Sequence, residues 1–196
     1  MATYHNVTFV VVFVVAFGES FAFLSLLFPG TALLISAGTL LSSGALPYTP
    51  VLIGAIAGAV LGDAVSYSIG RRFGANITRV WPFSRNPDLL PNGIRFFRRH
   101  GGKSVFIGRF FGPMRAVAPL AAGVLKMERG SFWLANVTSA LVWAPMLLFV
   151  GNVIGEAGKW LIGSTPGALL VFGSLIIFGG AVAFWTLVRY GRSRQP

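Results

Sequence analysis

The chain has 196 residues, of which 55% are hydrophobic and 11% charged, and its mean hydropathy is +0.74. This composition is typical of a protein embedded in lipid and predicts a single membrane domain over residues 1–196. The chain has no cysteine and two histidines, so we expect no disulfide, no metal site and no cofactor. Its 16 basic residues cluster between apolar segments, which indicates contact with lipid headgroups and no role in nucleic-acid binding.

Four segments are long and apolar enough to cross a bilayer as helices, which takes about 20 residues. They are residues 7–28, 51–70, 132–154 and 160–188. The first lacks the basic start and the small-residue cleavage site of a signal peptide, so we expect it to be retained as a membrane helix.

Charge predicts the topology of the remaining segments. Residues 71–103 carry eight basic residues and one acid, Asp88, which predicts a cytoplasmic loop, and the basic tail after residue 188 predicts a cytoplasmic C-terminus. The two spans between them leave no crossing for residues 104–125, which we expect to dip into the membrane and return, turning near Gly112-Pro113 or Pro119. Residues 29–46 should dip in from the opposite face, which places the N-terminus in the cytoplasm.

The two dipping segments share a short motif. Ala37-Gly38 and Ala122-Gly123 are each followed by a leucine two positions later, and a proline stands near the start of each segment. Such a pair predicts an inverted repeat with a binding site near the membrane midplane. We therefore predict an all-α membrane protein with two re-entrant hairpins packed among about four spanning helices.

Four ionisable residues are predicted at membrane depth: Glu19, Asp63, Arg109 and Arg115. Each costs roughly 2.5–3.5 kcal/mol there unless it is paired, so the four should face one another or a cavity. One interpretation is a set of ion pairs that holds the helices together. The other is a site in which the two arginines bind a phosphate through their planar forks, while the acids act as charge partners or carry protons.

Further residues are predicted to line this cavity. Tyr67 lies one helical turn after Asp63, and Asn136 and Trp143 share one face of a predicted span with Ser139. The other predicted lining residues are Pro29, Gly30, Thr31, Gly112, Pro113 and Pro119. Small residues at every fourth position from Gly54 to Gly70 predict close helix packing, either within the chain or in a homodimer.

These motifs, taken in order, resemble the DedA family of membrane proteins, also called SNARE-associated or VTT-domain proteins. The embedded acid Glu19 stands ten residues before a Pro-Gly pair. A Gly-Asp pair ends at Asp63 and is followed one turn later by Tyr67. Arg109 and Arg115 lie on either side of a Gly-Pro pair. The resemblance extends from about residue 19 to residue 155. It departs at Thr31, where many members have an acid, so proton coupling would rest on Glu19 or Asp63.

The resemblance implies a fold of inverted re-entrant hairpins in a bacterial inner membrane. It also implies a transporter that moves undecaprenyl phosphate or phospholipid between leaflets, with proton coupling as an option. Two alternatives remain open, namely a proton- or cation-coupled transporter of a small solute and a structural assembly factor. We do not expect an enzyme, because His100 is the only histidine near the predicted site and no metal set accompanies it.

Overall fold

The computed structural model describes residues 2–25, 30–79, 84 and 88–164, and these residues form helices joined by turns. The helices are α1 (Ala2–Ser20), α2 (Gly30–Ser42), α3 (Tyr48–Phe73), α4 (Leu89–His100), α5 (Ser104–Gly108), α6 (Gly112–Val124) and α7 (Arg129–Ser164). Short 3-10 helices follow α3 at Gly74–Arg79 and α4 at Gly101–Lys103.

Two of the described helices, α3 and α7, are long and apolar enough to cross a membrane. They contain 26 and 36 residues, whereas α2 and α6 contain 13 residues each. Thirteen residues make a helix about 20 Å long, which is shorter than the roughly 30 Å of a bilayer's hydrocarbon core. The predicted spans 51–70 and 132–154 therefore lie within long helices, while the predicted span 160–188 falls mostly outside the described residues.

The first predicted span, residues 7–28, is not one helix, because α1 ends at Ser20. Residues 21–25 form a turn in which the Leu24 N–H donates to the Phe21 carbonyl at 3.0 Å. The hydroxyl of Ser66 on α3 accepts the Ala22 N–H at 2.9 Å and satisfies a backbone donor that the ended helix leaves free.

Helices α1 and α2 form a hairpin that starts and ends at one end of the molecule. Gly54 and Gly62 of α3 lie against the carbonyls of Phe9 and Phe17, so α1 runs parallel to the first part of α3. Helix α2 then returns, and the Tyr4 hydroxyl donates to the Ala45 carbonyl at 2.5 Å.

Helices α5 and α6 form a second hairpin at the other end of α3. The helical conformation is interrupted at residues 109–111, between the end of α5 and Gly112 and Pro113, which begin α6. The predicted turn at Pro119 is wrong, because α6 continues through it. A Cβ added at Gly102 would lie 3.3 Å from the Met127 side chain, so this hairpin also starts and ends at the same place.

Each hairpin returns along a long helix through closely packed glycines. On α2, Gly38 packs against the backbone of α7 at Leu148 and Gly151. On α6, Gly123 packs in the same way against α3 at Tyr67 and Arg71. Both glycines belong to the shared Ala-Gly motif, so the motif marks equivalent contacts in the two halves of the chain. The glycine row of α3 is likewise occupied by α1 and α6 of the same chain.

The predicted cytoplasmic loop, residues 71–103, contains an amphipathic helix, α4. Its Leu90 is buried beside Val117 and Leu120 of α6, while Arg98 and Arg99 are exposed. This loop begins at the end of α3 opposite to Ala45 and therefore opposite to Tyr4. Tyr4 and the basic loop thus lie at opposite ends of α3, and the cytoplasmic location of the N-terminus stays a prediction.

Candidate functional site

The four ionisable residues predicted at membrane depth come together where the two hairpins meet. Glu19 lies at the end of α1, Asp63 in the middle of α3, Arg109 in the break after α5 and Arg115 in the first turn of α6. Their exposed fractions are 5%, 2%, 3% and 7%. The breaks thus bring Glu19 of the first hairpin and Arg109 and Arg115 of the second inside the molecule, beside Asp63 of α3.

Arg109 is paired with Asp63 and held by α7. Its Nη2 donates to Asp63 Oδ2 and, at 2.6 Å, to Asn136 Oδ1. Asn136 is fully buried, and its Nδ2 donates to the Val60 carbonyl at 3.0 Å. Asn136 therefore positions the Arg109 guanidinium and links α7 to α3.

Arg115 is paired with Glu19 at the end of the first hairpin. Its Nη1 donates to Glu19 Oε1, and its Nη2 lies 3.2 Å from the hydroxyl of Ser20. The Thr31 hydroxyl donates to the same Glu19 oxygen. A side chain at Gly30 would lie 2.6 Å from the Glu19 Cβ, so only glycine lets α2 begin this close to the carboxylate.

Trp143 of α7 joins the two arginines. The Cζ atom of Arg115 lies 4.0 Å from the centroid of its ring, and that of Arg109 lies 5.9 Å away. The indole face stabilises a guanidinium through its electrons, an attraction that grows when the pair is shielded from water. Trp143 is itself buried, so it forms a rigid wall behind both cations.

The arginines face a cavity of about 360 Å³, here called the four-charge cavity after the cluster beside it, although Asp63 lies behind Arg109 and does not line it. It is lined by Glu19, Ser25, Thr31, Arg109, Phe110, Arg115, Trp143, Met146 and Leu147. Among the described residues, five buried polar atoms have no hydrogen-bond partner: Glu19 Oε2, Asp63 Oδ1, Arg109 Nε and Nη1, and Arg115 Nε. Three of these atoms are arginine donors, so the two guanidinium groups could donate further hydrogen bonds to oxygen atoms.

Only some of the predicted lining residues line the four-charge cavity. Thr31 and Trp143 line the four-charge cavity, whereas Asn136 lies behind Arg109. Tyr67 does not bind Asp63, because its hydroxyl donates to the Met127 carbonyl at 2.5 Å. Pro119 is buried inside α6.

The remaining predicted lining residues concern the hairpin breaks. Gly30 begins α2 and lies against Glu19, and Gly112 and Pro113 begin α6. Pro29 lies outside the described residues. Sequence reasoning missed the lining residues Ser25, Phe110, Met146 and Leu147; the last two follow Trp143 by three and four positions, so helical spacing could have indicated them.

Comparisons with known proteins agree on one family. The family model of the VTT domain matches residues 28–153. The inner membrane protein YabI of Escherichia coli (strain K12) is 32% identical over 186 residues, covering 93% of this chain and 73% of that protein. An uncharacterized membrane protein of Mycobacterium tuberculosis (strain ATCC 25618 / H37Rv) is 39% identical over 140 residues, covering 68% and 64%. No solved structure matches the chain.

Proposed function

The chain belongs to the VTT-domain (DedA) family of membrane proteins, and from this premise we propose that it moves a phosphate-bearing lipid between the two leaflets of the membrane. The substrate class is a polyprenyl phosphate, such as undecaprenyl phosphate, or a phospholipid. The headgroup would bind Arg109 and Arg115 in the four-charge cavity.

One observation carries this proposal: two buried arginines line one cavity and keep donors without partners. Arg109 Nε and Nη1 and Arg115 Nε have none among the described residues. A phosphate has enough oxygen atoms to accept from several of these donors, and arginine binds it through two parallel hydrogen bonds. The cavity is closed on one side by Trp143, so such bonds would form away from bulk water.

The tail of the lipid would lie between α1 and α2. An apolar groove of about 560 Å³ runs between these helices, and its lining includes Val15 and Leu34. Val15 lies one turn before Glu19, and Leu34 lies one turn after Thr31, so one end of the groove is close along the chain to residues that line the four-charge cavity. A headgroup at the arginines could therefore keep its tail in an apolar environment.

The two hairpins are, in our proposal, re-entrant elements of an inverted repeat. Each one starts and ends at one end of α3, and the two ends are opposite. Equivalent glycines, Gly38 and Gly123, support this pairing. The positive-inside rule places the arginine-rich end of α3, with Arg71 and Arg72, in the cytoplasm, so Tyr4 would lie on the other side.

Proton coupling fits the same geometry. Each arginine is held by a carboxylate, Arg115 by Glu19 and Arg109 by Asp63. A proton that neutralised either acid would free its arginine to bind phosphate, because the competing negative charge would be lost. With Thr31 in place of an acid, Glu19 is the carboxylate that lines the cavity.

The test is the flipping of a labelled polyprenyl phosphate or phospholipid by the purified protein in vesicles. We expect Arg109→Lys and Arg115→Lys to slow flipping by about tenfold or more, because lysine keeps the charge but cannot form the bidentate bonds. Arg98→Lys is the matched control, since Arg98 is exposed on α4, and it should flip lipid at the parent rate.

Three outcomes would overturn the proposal. Stable lysine variants with the parent rate would mean that the arginines do not bind the phosphate. Ion flux without lipid movement would indicate a small-solute transporter. Normal function in cells after neutralisation of all four charges would indicate a structural assembly factor.

A further inference from the structure

A second cavity, here called the surface cavity, lies between the end of α3 and the start of α7. Its volume is about 520 Å³. It is lined by Ala64, Tyr67, Ser68, Arg71, Arg72, Arg129, Phe132 and Trp133. Three of these eight residues are arginines, and none is an acid. The cavity is distinct from the four-charge cavity, with which it shares no lining residue.

Arg71, Tyr67 and Phe132 contact one another at the floor of the surface cavity. Arg71 Nη1 donates to the Tyr67 hydroxyl at 2.8 Å and to the Met127 carbonyl at 2.9 Å. The Tyr67 ring stacks on that of Phe132, with centroids 4.0 Å apart. One nitrogen of Arg71 thus makes both contacts, and the rest of its guanidinium is held in a fixed orientation.

The arginines of the surface cavity form no ion pair with a described acid. The ion pairs among the described residues involve Arg109, Arg115 and Lys159, and none involves an arginine of this cavity. Glu128 precedes Arg129, but it does not line the cavity and accepts a hydrogen bond from Ser131 at 3.2 Å.

Arg129 stands where a basic residue is unfavourable for the helix. It is the first residue of α7, and the start of a helix carries a partial positive charge from its free N–H groups. An arginine there therefore adds repulsion to a site that already holds Arg71 and Arg72. A local preference broken in this way is typical of functional sites, and here an anion would relieve the repulsion.

We propose that the surface cavity binds the phosphate of an anionic lipid at the membrane surface. The cavity is built from the ends of the two long apolar helices, and Trp133 and Phe73 nearby are 44% and 55% exposed. Aromatic residues at this position are typical of the headgroup region of a bilayer, where arginines attract anionic lipids. The bound lipid would rest there by its headgroup, with its tails along the outer faces of α3 and α7.

The experiment compares two double variants with the same loss of charge. Arg72→Gln with Arg129→Gln removes two arginines of the cavity, while Arg98→Gln with Arg99→Gln removes two exposed arginines of α4. Arg71 is kept because it supports Tyr67 and Met127. Native mass spectrometry in detergent measures the Kd for dioleoylphosphatidylglycerol, with dioleoylphosphatidylcholine as the neutral reference.

We expect the cavity variant to bind dioleoylphosphatidylglycerol about 30-fold more weakly, because each arginine at a membrane surface contributes about a fivefold factor. The α4 variant should change the Kd less than twofold. If the double variant loses its fold, as judged by thermal unfolding, Arg72→Gln and Arg129→Gln are measured singly, each with an expected fivefold loss.

Equal Kd values in the parent and the cavity variant would overturn the proposal, and so would equal losses in the two double variants. Displacement of the lipid by glycerol 3-phosphate at the lipid's own concentration would show a site for free phosphate instead. Because Arg109 and Arg115 are unchanged in every variant, these outcomes leave the test of lipid flipping separate.

Discussion

At the residue scale, the ion pair of Arg109 and Asp63 is more deeply buried than that of Arg115 and Glu19. The side chains are 1% and 3% exposed, and Asn136 holds the pair from α7. Buried pairs of this kind add little stability compared with apolar residues, yet removal of one partner leaves an uncompensated charge inside the protein. Their presence at a cavity is therefore better explained by function than by stability.

We predict that neutralising one partner is far more harmful than neutralising both. Arg109→Gln should destabilise the fold by about 3–5 kcal/mol, because Asp63 is then buried without its partner. Adding Asp63→Asn should recover at least half of this loss. Thermal unfolding of the purified variants in detergent measures both effects.

The exposed pair of Lys159 and Glu156 supplies the control. Its side chains are 47% and 56% exposed, so Glu156→Gln should change stability by less than about 1 kcal/mol. If Arg109→Gln proves as mild as this control, Asp63 is not dependent on Arg109 in the folded protein.

At the element scale, the two hairpins depend on close contact with the long helices. Helix α2 meets α7 at Gly38, and α6 meets α3 at Gly123. Packing in a membrane gains little from the hydrophobic effect, so small residues that let backbones approach contribute much of the association. Both hairpins also end alike, since Gly44 and Lys126 have positive φ angles of 72° and 55° at the ends of α2 and α6.

We predict that alanine at either contact glycine weakens the fold. A methyl at Gly38 would lie 2.6 Å from the Leu148 carbonyl, and one at Gly123 would lie 2.8 Å from the Arg71 nitrogen. Both variants should lower the Tm, although alanine is the better helix former by about 1 kcal/mol. Gly158→Ala is the control, because nothing lies within 4 Å of its added methyl, and its Tm should not fall. Equal Tm changes in all three variants would contradict the close packing.

At the scale of the whole molecule, the structure separates two ends of α3. Tyr4 and Ala45 lie at one end, and the other holds Arg71 with Met127. If α3 crosses the membrane, the start of the described chain and the basic segment lie on opposite sides. This arrangement follows from the first hairpin, which takes the place of one spanning helix.

We predict that single cysteines report these two sides in this cysteine-free chain. Asn6→Cys and Ser43→Cys should react with an impermeant maleimide in intact spheroplasts, and Glu128→Cys should react only after lysis, because the positive-inside rule predicts a cytoplasmic basic end. All three positions are exposed in the structure. If Asn6→Cys and Glu128→Cys were labelled from the same side, residues 7–28 would cross the membrane completely, and the first hairpin would be contradicted.

Much of the fold and site was predictable from local sequence. Apolar length indicated α3 and α7, Gly-Pro and Pro-Gly pairs indicated the breaks, and the VTT-domain family membership is confirmed. The four embedded charges could be chosen from the sequence because a charged group in an apolar segment is costly wherever the chain places it. The sequence did not determine which arginine pairs with which acid. The structure pairs Arg109 with Asp63 and Arg115 with Glu19.

Only the tertiary structure decided where α1 ends and what the polar residues of the site contact. Residues 7–28 are apolar enough to span, but the end of α1 depends on Ser66 of another helix, which accepts the Ala22 N–H. Likewise, the Tyr67 hydroxyl does not contact Asp63 as predicted. It donates to the Met127 carbonyl, a partner 60 positions away in the chain. Hydropathy and spacing indicate whether a segment can be helical and can lie in a membrane, because both depend only on residues within the segment. The hydrogen bonds that end a helix or direct a side chain come from distant residues, and only packing brings those residues together.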